Sequence, residues 1–487
     1  MAEQIGESRN LIDGRLLGAS SKATFDNVNP ATEEKLGVTA DGTKDDMEAA
    51  IAAARRAFDE GRWAGDSAFR ARCIRQLHAA LVEAREELRQ IVVAEAGSPI
   101  LLTYGVQCNS SIDDLLYWAD LAESYAYEEP MQEITFMGAP QRRILRREPA
   151  GVVGAITPWN FPLYLNLAKL GPALAAGCTI VLKPAPDTPW SATHIGRLVA
   201  EKTEIPAGVV NVVASSDHQL GEMLASDPRV DLVTFTGSTA TGRRVMEVAS
   251  RTVKKVFLEL GGKSANVILD DAPGAAFAGG ALTCTHGGQG CAITTRMLVP
   301  RSRYDEAVTA LTETFRNHKY GDPTQPGFLQ GPQVSKRQQD RVLAYIEKGK
   351  AEGARCVVGG GRPKHLAKGF YVEPTLFVDV DPKATIAQEE IFGPVLCVIP
   401  YTDDDDAVRI ANDSIYGLSG AVVSANESRA LAVARRILTG TLSIIGGMWF
   451  HVDTPFGGYK QSGVGRENGR AGFEEYLETK VMALPKA

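Results

Sequence analysis

The chain has no run of 18 apolar residues, no CxxC cysteine pair, no basic excess and no low-complexity stretch. Each absence removes a class of protein. Without a long apolar run, no membrane-spanning helix is expected. Seven cysteines, an odd and sparse set running from Cys73 to Cys397, make neither a disulfide framework nor a zinc ribbon, and they fit a reducing compartment. Lys and Arg total 52 against 59 Asp and Glu, a net charge of −7, so composition does not supply the basic face of a nucleic-acid binder. The opening MAEQIGESRN lacks the charged-then-apolar pattern of a secretory signal. No His/Cys/Asp cluster suggests a metal. These exclusions lead to the expectation of a soluble cytoplasmic protein, without nucleic acid or membrane as partner.

What remains is 487 residues, 44% of them hydrophobic, enough for more than one domain with a large core. The first ~45 residues read as strands and turns, and residues 44–59 and 66–96 as helices. In the second helix Ile74, Leu77, Leu81, Leu88, Ile91 and Val92 recur at helical spacing, and Gly97 closes it as a C-cap. From 148 onward short apolar runs appear at 152–156, 179–182, 209–213, 232–235 and 265–269, the first four separated by helix-length segments. Strands alternating with helices imply a parallel sheet, which binds ligands at the carboxyl ends of its strands. A second alternating run extends from about 263 to 440. Residues 132–147 read instead as a hairpin turning at Gly138-Ala139-Pro140, and 479–485 as a terminal strand; both are free for subunit pairing.

Several residues at the ends of these runs carry chemistry. Cys291 sits among small residues in Gly287-Gly288-Gln289-Gly290-Cys291-Ala292, where a thiolate could meet a carbonyl carbon, although a free cysteine is more often packing material. Glu259, at a strand end before two glycines, could take a proton from a thiol or a water. Asn160, in Pro158-Trp159-Asn160-Phe161-Pro162, could donate to an oxyanion. Gly237 and Ser238 follow a strand and open a helix, whose free N–H groups favour a pyrophosphate. The segment lacks GxGxxG spacing, and Arg243-Arg244 stands where a P-loop needs Lys-Ser/Thr. Lys183, at the end of another strand, could reach ribose hydroxyls. Each of these signals is weak alone.

In combination they are not. The sequence resembles the aldehyde dehydrogenase superfamily from about residue 10 to 487, through PWNFP at 158–162, LKPAPDTP at 182–189, FTGST at 235–239, ELGGK at 259–263, GQGC at 288–291, EEIFGPV at 389–395 and PFGGYKQSGVGRE at 455–467. The resemblance implies an α/β fold of aldehyde dehydrogenase type: a Rossmann-like parallel sheet for the cofactor, a second α/β catalytic domain and a small β oligomerisation hairpin. The expected divisions are 1–131 and 148–258 for the cofactor domain, 259–451 for the catalytic domain, 452–470 for a return segment, and 132–147 with 471–487 for the hairpin and tail. The implied assembly is a homo-oligomer, dimer or tetramer.

It also implies roles. Cys291 would attack the aldehyde, and Asn160 with the Cys291 N–H would hold the oxyanion. Glu259 would activate the water that hydrolyses the thioester, with Lys169 assisting proton movement. The cofactor would be NAD, with NADP as the alternative. Lys183 would hold its adenosine ribose, Gly237 and Ser238 the pyrophosphate, and Glu390 the nicotinamide ribose with Phe392 beside the ring. Ile156, Thr157, Pro158, Trp159, Pro186, Gly221, Phe235 and Leu260 would complete the groove. Leu163, Tyr164, Leu165, Thr285, Phe450 and Phe456, with Trp449, would line the substrate entrance. That set is apolar, so an uncharged aliphatic or aromatic aldehyde is expected, with Arg142, Arg143 and His451 read as surface residues.

The sequence departs from the family pattern in two places. Pro186 stands where many NAD-preferring relatives carry a glutamate that bonds the ribose and repels a 2′-phosphate. The asparagine that usually opens the NxGQxC block is read as Gly287, preceded by His286. Two rivals follow from the same residues: a thiol hydrolase with Cys291 activated by a histidine such as His286, and a CoA-acylating enzyme, against which the presence of Glu259 counts.

Overall fold

The computed structural model describes residues 5–486; the first four residues of the MAEQIGESRN segment and Ala487 of the expected tail lie outside the described residues. Two large sheets and one small one organise the chain. In the first, five parallel strands stand in the spatial order Val210–Val212, Thr179–Lys183, Val152–Ile156, Leu232–Thr236, Lys255–Glu259. Numbered along the chain, this is 3-2-1-4-5, so the order reverses beside Val152–Ile156. The antiparallel strands Asn10–Ile12 and Arg15–Leu17 extend one edge, and Gly463–Val464 closes the other. The central strands are buried on both faces, which is why they read as continuous apolar runs rather than as alternation.

Helices Ser67–Glu83, Leu115–Ser124 and Pro162–Ala176 pack Leu77, Trp118 and Leu170 onto one face of this sheet. Helices Lys44–Glu60, Gln219–Ser226 and Thr239–Ala249 pack Ile51, Leu224 and Val245 onto the other. The first of these has a capping box: Thr43 Oγ1 accepts from the Asp46 N–H at 3.3 Å, and Asp46 Oδ2 accepts from the Thr43 N–H at 2.8 Å. Residues 66–96 are not one helix. They break at Ala84 into Ser67–Glu83 and Arg85–Ala96, and the apolar spacing continues across the break, so periodicity cannot reveal it. Gly97 does cap the second piece, at φ +63°.

The second sheet, in the order Arg355–Val358, Thr375–Val378, Val395–Tyr401, Thr294–Pro300, Ser264–Ile268, Gly420–Val423, Ser443–Ile444, is parallel except at its first pair. The apolar run near 265–269 belongs here, and Lys255–Glu259 is the fifth parallel strand of the first sheet. The third sheet joins Leu477–Pro485 to Ala139–Pro149 along nine positions, with Glu128–Pro130 and Ile134–Phe136 on the far edge. Its hairpin turns one residue earlier than expected. Met137 and Gly138 both take positive φ, the two-residue turn that matches strand twist, and Pro140 lies in the strand opposite Thr135. No helix among the described residues is long and apolar enough to cross a membrane.

Candidate active site

In an open parallel sheet the ligand crevice lies beyond the carboxyl ends of the strands, where their order reverses. The register lines up Lys183, Ile156, Phe235 and Leu258 side by side across that edge, with Thr236 opposite Glu259 one step further. The second sheet presents the other ends of its strands to this edge. Cys291 lies just ahead of Thr294–Pro300, and Glu390 just ahead of Val395–Tyr401. Between the two sheets runs a cavity of about 1410 Å³.

The chemistry-bearing residues meet there. Cys291, Glu259 and Asn160 all line the cavity. The Asn160 side-chain amide donates to the Gln289 carbonyl at 2.8 Å, which ties it to the loop carrying Cys291 and leaves its second N–H toward the cavity. A Cβ on Gly262 would stand 2.8 Å from the Cys291 carbonyl, so the glycines after Glu259 let the two loops close on each other. Glu259 is buried, and neither of its carboxylate oxygens has a hydrogen-bond partner. Burial, with Glu467 adding like-charge repulsion, holds its carboxyl well above the usual range. Burial and then the Glu259 and Glu390 carboxylates push the Cys291 thiol up to about 12, and the Ala292 N–H offsets only part of this. The sulfur is therefore a thiol at rest, in the same cavity as a carboxyl group whose two oxygens have no partner. Neither ring nitrogen of His286 bonds to Cys291: Nε2 faces the Asn160 carbonyl at 2.7 Å and Nδ1 has no hydrogen-bond partner.

Lys169 is not on the cavity wall. It lies fully buried behind Glu259, 2.8 Å from Glu467 in a charge contact outside hydrogen-bond alignment, with its ammonium over the Phe257 ring. Glu467 does line the cavity, and sequence reasoning missed its part in this charged group. It closes the PFGGYKQSGVGRE block, which is the signal that could have found it.

Toward the first sheet the cavity fits a dinucleotide. Ile156, Thr157, Pro158, Trp159, Lys183, Pro186, Gly221, Phe235, Gly237, Ser238, Leu260, Glu390 and Phe392 all line it. Ser238 caps Thr239–Ala249, whose remaining N-terminal N–H groups face the groove. Burial lowers Lys183 to about 8, with Asp217 and Asp41 acting the other way. Glu390 accepts from the Gly262 N–H at 3.1 Å, and burial raises its carboxyl to about 7. Its other oxygen occupies the space that a side chain at 261 would take, 2.2 Å from an ideal Cβ. Trp159 and Phe392 meet edge to face at 5.4 Å and 87°.

At the other end the wall is aromatic. Trp449 stacks on Phe456 at 5.5 Å and 2°, and Phe450 meets both Trp449 and Tyr164. Leu165 and Thr285 share this wall, as do Val106, Phe161 and Ile293. Leu163 does not. The helix turns it away from its neighbours 164 and 165 into the core of the first sheet, where it is fully buried. Arg142 and Arg143 lie on the strand of the third sheet, and His451 is exposed against Asp453; none of them lines the cavity.

Comparison with known proteins agrees with this geometry. A family model described as "Aldehyde dehydrogenase family" matches residues 17–482. A Pseudomonas protein named 3-succinoylsemialdehyde-pyridine dehydrogenase is 43% identical over 97% of both chains. The crystal structure of a Mycobacterium tuberculosis aldehyde dehydrogenase complexed with NAD+ superposes with a TM-score of 0.93 at 42% identity, covering 98% of each chain. A cysteine-to-alanine variant of a Pseudomonas syringae aldehyde dehydrogenase, in complex with NAD+ and octanal, gives 0.92 at 40% identity, covering 99% of this chain and 98% of the other.

Proposed function

The chain belongs to the aldehyde dehydrogenase family, and from that premise we propose that it oxidises an uncharged aldehyde to the carboxylic acid, using NAD as hydride acceptor and Cys291 as covalent nucleophile. The observation that carries this reading is the convergence of Cys291, Glu259 and Asn160 on one cavity, with a dinucleotide groove on one side and an aromatic wall on the other.

Glu259 takes the Cys291 proton as the sulfur bonds to the carbonyl carbon. The oxygen becomes an anion held by the Asn160 amide and the Cys291 N–H, a donor pair of which each member is worth about 2.7–4 kcal/mol in barrier height. NAD, held in the groove, would supply the acceptor for the hydride that the tetrahedral carbon releases. A thioester remains on Cys291. Once that first proton has passed from Glu259 by way of Glu467 to the cavity, Glu259 takes a proton from water as its oxygen adds to the thioester, and acid leaves as the sulfur regains that proton. Lys169 and Glu467 accept and pass on the charge behind Glu259. The unpartnered oxygens of Glu259 favour hydrolysis over acyl transfer to CoA.

Lys183 would hold the adenosine ribose, the Gly237–Ser238 turn the pyrophosphate, and Glu390 the nicotinamide ribose with Phe392 beside the ring. NAD is the cofactor of both structural neighbours named above. With Pro186 on the groove no carboxylate at that position repels a 2′-phosphate, so NADP remains the alternative, with Lys183 available to pair with its phosphate. The aromatic wall supports an aliphatic or aromatic substrate without charge. The exposed hairpin and terminal strand support a homo-oligomer, and seven free cysteines support a cytoplasmic location. Aldehyde-dependent NADH formation, followed by absorbance across uncharged aldehydes, tests the reading. Cys291→Ala is expected to abolish it while NAD binding by calorimetry persists. Turnover in that variant, or no NADH with any aldehyde, would overturn it.

A further inference from the structure

Counted back from Cys291, the asparagine position of the NxGQxC spacing falls on His286 rather than on Gly287, and His286 is a fully buried side chain in an unusual stretch of backbone. His286, Gly287 and Gly288 take φ of 53°, 64° and 74° in succession. The loop is held on both sides: the His286 N–H donates to the Leu329 carbonyl at 2.7 Å, and the His286 carbonyl accepts from Gln289 Nε2 at 2.9 Å. Gln289 Nε2 also reaches the Pro332 carbonyl, and Gln289 Oε1 accepts from the Val334 N–H. The imidazole therefore projects from a fixed frame.

It projects onto Asn160. Its Nε2 lies 2.7 Å from the Asn160 carbonyl oxygen, and a carbonyl only accepts, so Nε2 carries the proton. Gln107 Nε2 donates to the same carbonyl at 3.0 Å. The Phe161 ring meets the imidazole edge-on at 5.4 Å. Asn160 is thus clamped twice through its main chain, while its side-chain amide holds the Gln289 carbonyl, two residues before Cys291.

We infer that His286, with Gln107, is a positioning residue for the oxyanion donor: its Nε2–H fixes the Asn160 main chain so that the amide faces the carbonyl carbon held by Cys291. This rests on the role proposed for Asn160. Burial holds the His286 ring's proton affinity down at about 4, so it stays a neutral single donor across the working pH range and acts through geometry rather than proton transfer. An amide misplaced by a fraction of an ångström loses part of what an oxyanion donor supplies, and complete loss of such a donor costs on the order of 10²–10³-fold in rate.

The test is the pre-steady-state NADH burst of the full chain with NAD and benzaldehyde. His286→Met keeps length without the donor; His286→Gln places an amide N–H at similar reach, and the two share any backbone strain at 286. His286→Met is expected to slow the burst at least ~10-fold, within the range set by the loss of an oxyanion donor, with NAD affinity unchanged. His286→Gln is expected to recover most of the rate with the same pH profile as the parent. Added to Asn160→Ala, His286→Met is expected to slow nothing further, because both act through one donor. A normal burst in His286→Met, equal loss in His286→Gln, or undiminished slowing on the Asn160→Ala background would each overturn the inference. Should His286→Met show no cooperative melting, Gln107→Met, outside the strained loop, carries the same expectations and the same refutations. A normal burst in Asn160→Ala would remove the oxyanion reading itself; a slow Asn160→Ala beside a normal His286→Met removes only the clamp.

Discussion

Cys291 and Glu259 line one cavity, in which burial and then the Glu259 and Glu390 carboxylates raise the proton affinity of the sulfur. That coupling has a sign. A thiol held up to about 12 gains thiolate roughly tenfold per pH unit as pH rises below that value, so its reaction with iodoacetamide should climb log-linearly from pH 7 to 10. A plateau below pH 8 would show a thiolate already formed at rest. Glu259→Gln separates the two halves of the reaction. It removes one neighbouring charge from the sulfur, yet it also removes the base for water. The expected result is a burst of one NADH per site that rises more slowly, because the variant also lacks the acceptor for the Cys291 proton, then steady turnover slowed by about 10²–10⁴, the usual worth of a general base; rapid mixing reads both phases. Undiminished steady turnover would take Glu259 out of the hydrolytic step. Residues of this kind were legible in the sequence because the chemistry needs particular atoms at particular places. Cys291, Glu259, Asn160 and Glu390 could be marked from short blocks. Lys169 and Glu467 were less so, since a buried ion pair between positions 298 residues apart leaves no local pattern.

Elements were legible where one period dominates. The first-sheet strands announced themselves as apolar runs, and the helices over 44–59 and 66–96 were placed from their residues, the second by its apolar spacing. Three things were hidden. The break at Ala84 keeps the apolar register on both sides. The Met137-Gly138 turn needs two left-handed residues, and only the glycine advertises one. The start of helix Trp190–Lys202 has no cap of its own. Its Trp190 and Ser191 N–H groups donate at 2.9 and 2.8 Å to Glu95, a fully buried carboxylate near the end of another helix that also accepts from Asn27 at 3.0 Å. A cap supplied from 95 positions away cannot be read from neighbours in sequence. Glu95→Ala would leave these donors unpaired in the core, at about 1–3 kcal/mol for each that water fails to reach. A loss of about 3 kcal/mol or more in urea unfolding is expected, with burst kinetics per folded site unchanged. A change below 0.5 kcal/mol would show that the cap contributes little.

At the scale of the whole molecule, the cavity is complete within one chain, while the third sheet is not. The residues that line the cavity come from the two large sheets and the helices and loops that join their strands. The small sheet ends at strand Leu477–Pro485, nine residues long, whose outer edge has no partner strand among the described residues. Long open edges are normally shortened, charged or covered. This one carries Val481, 55% exposed, and the hairpin beside it carries Phe136 at 63% and Met137 at 90%. Such a surface fits a second copy of the same chain, either edge to edge or across the sheet face. Phe136→Asp combined with Val481→Asp places charge in that contact and leaves the cavity alone. Light scattering should then fall from the mass of an oligomer to that of a single 52.2 kDa chain. Because no cavity residue crosses the boundary, the monomer should still give one NADH per Cys291 in the burst. A monomeric parent protein would refute the assembly, and a monomeric variant without a burst would show that subunit pairing, not the single chain, sets the position of the catalytic groups.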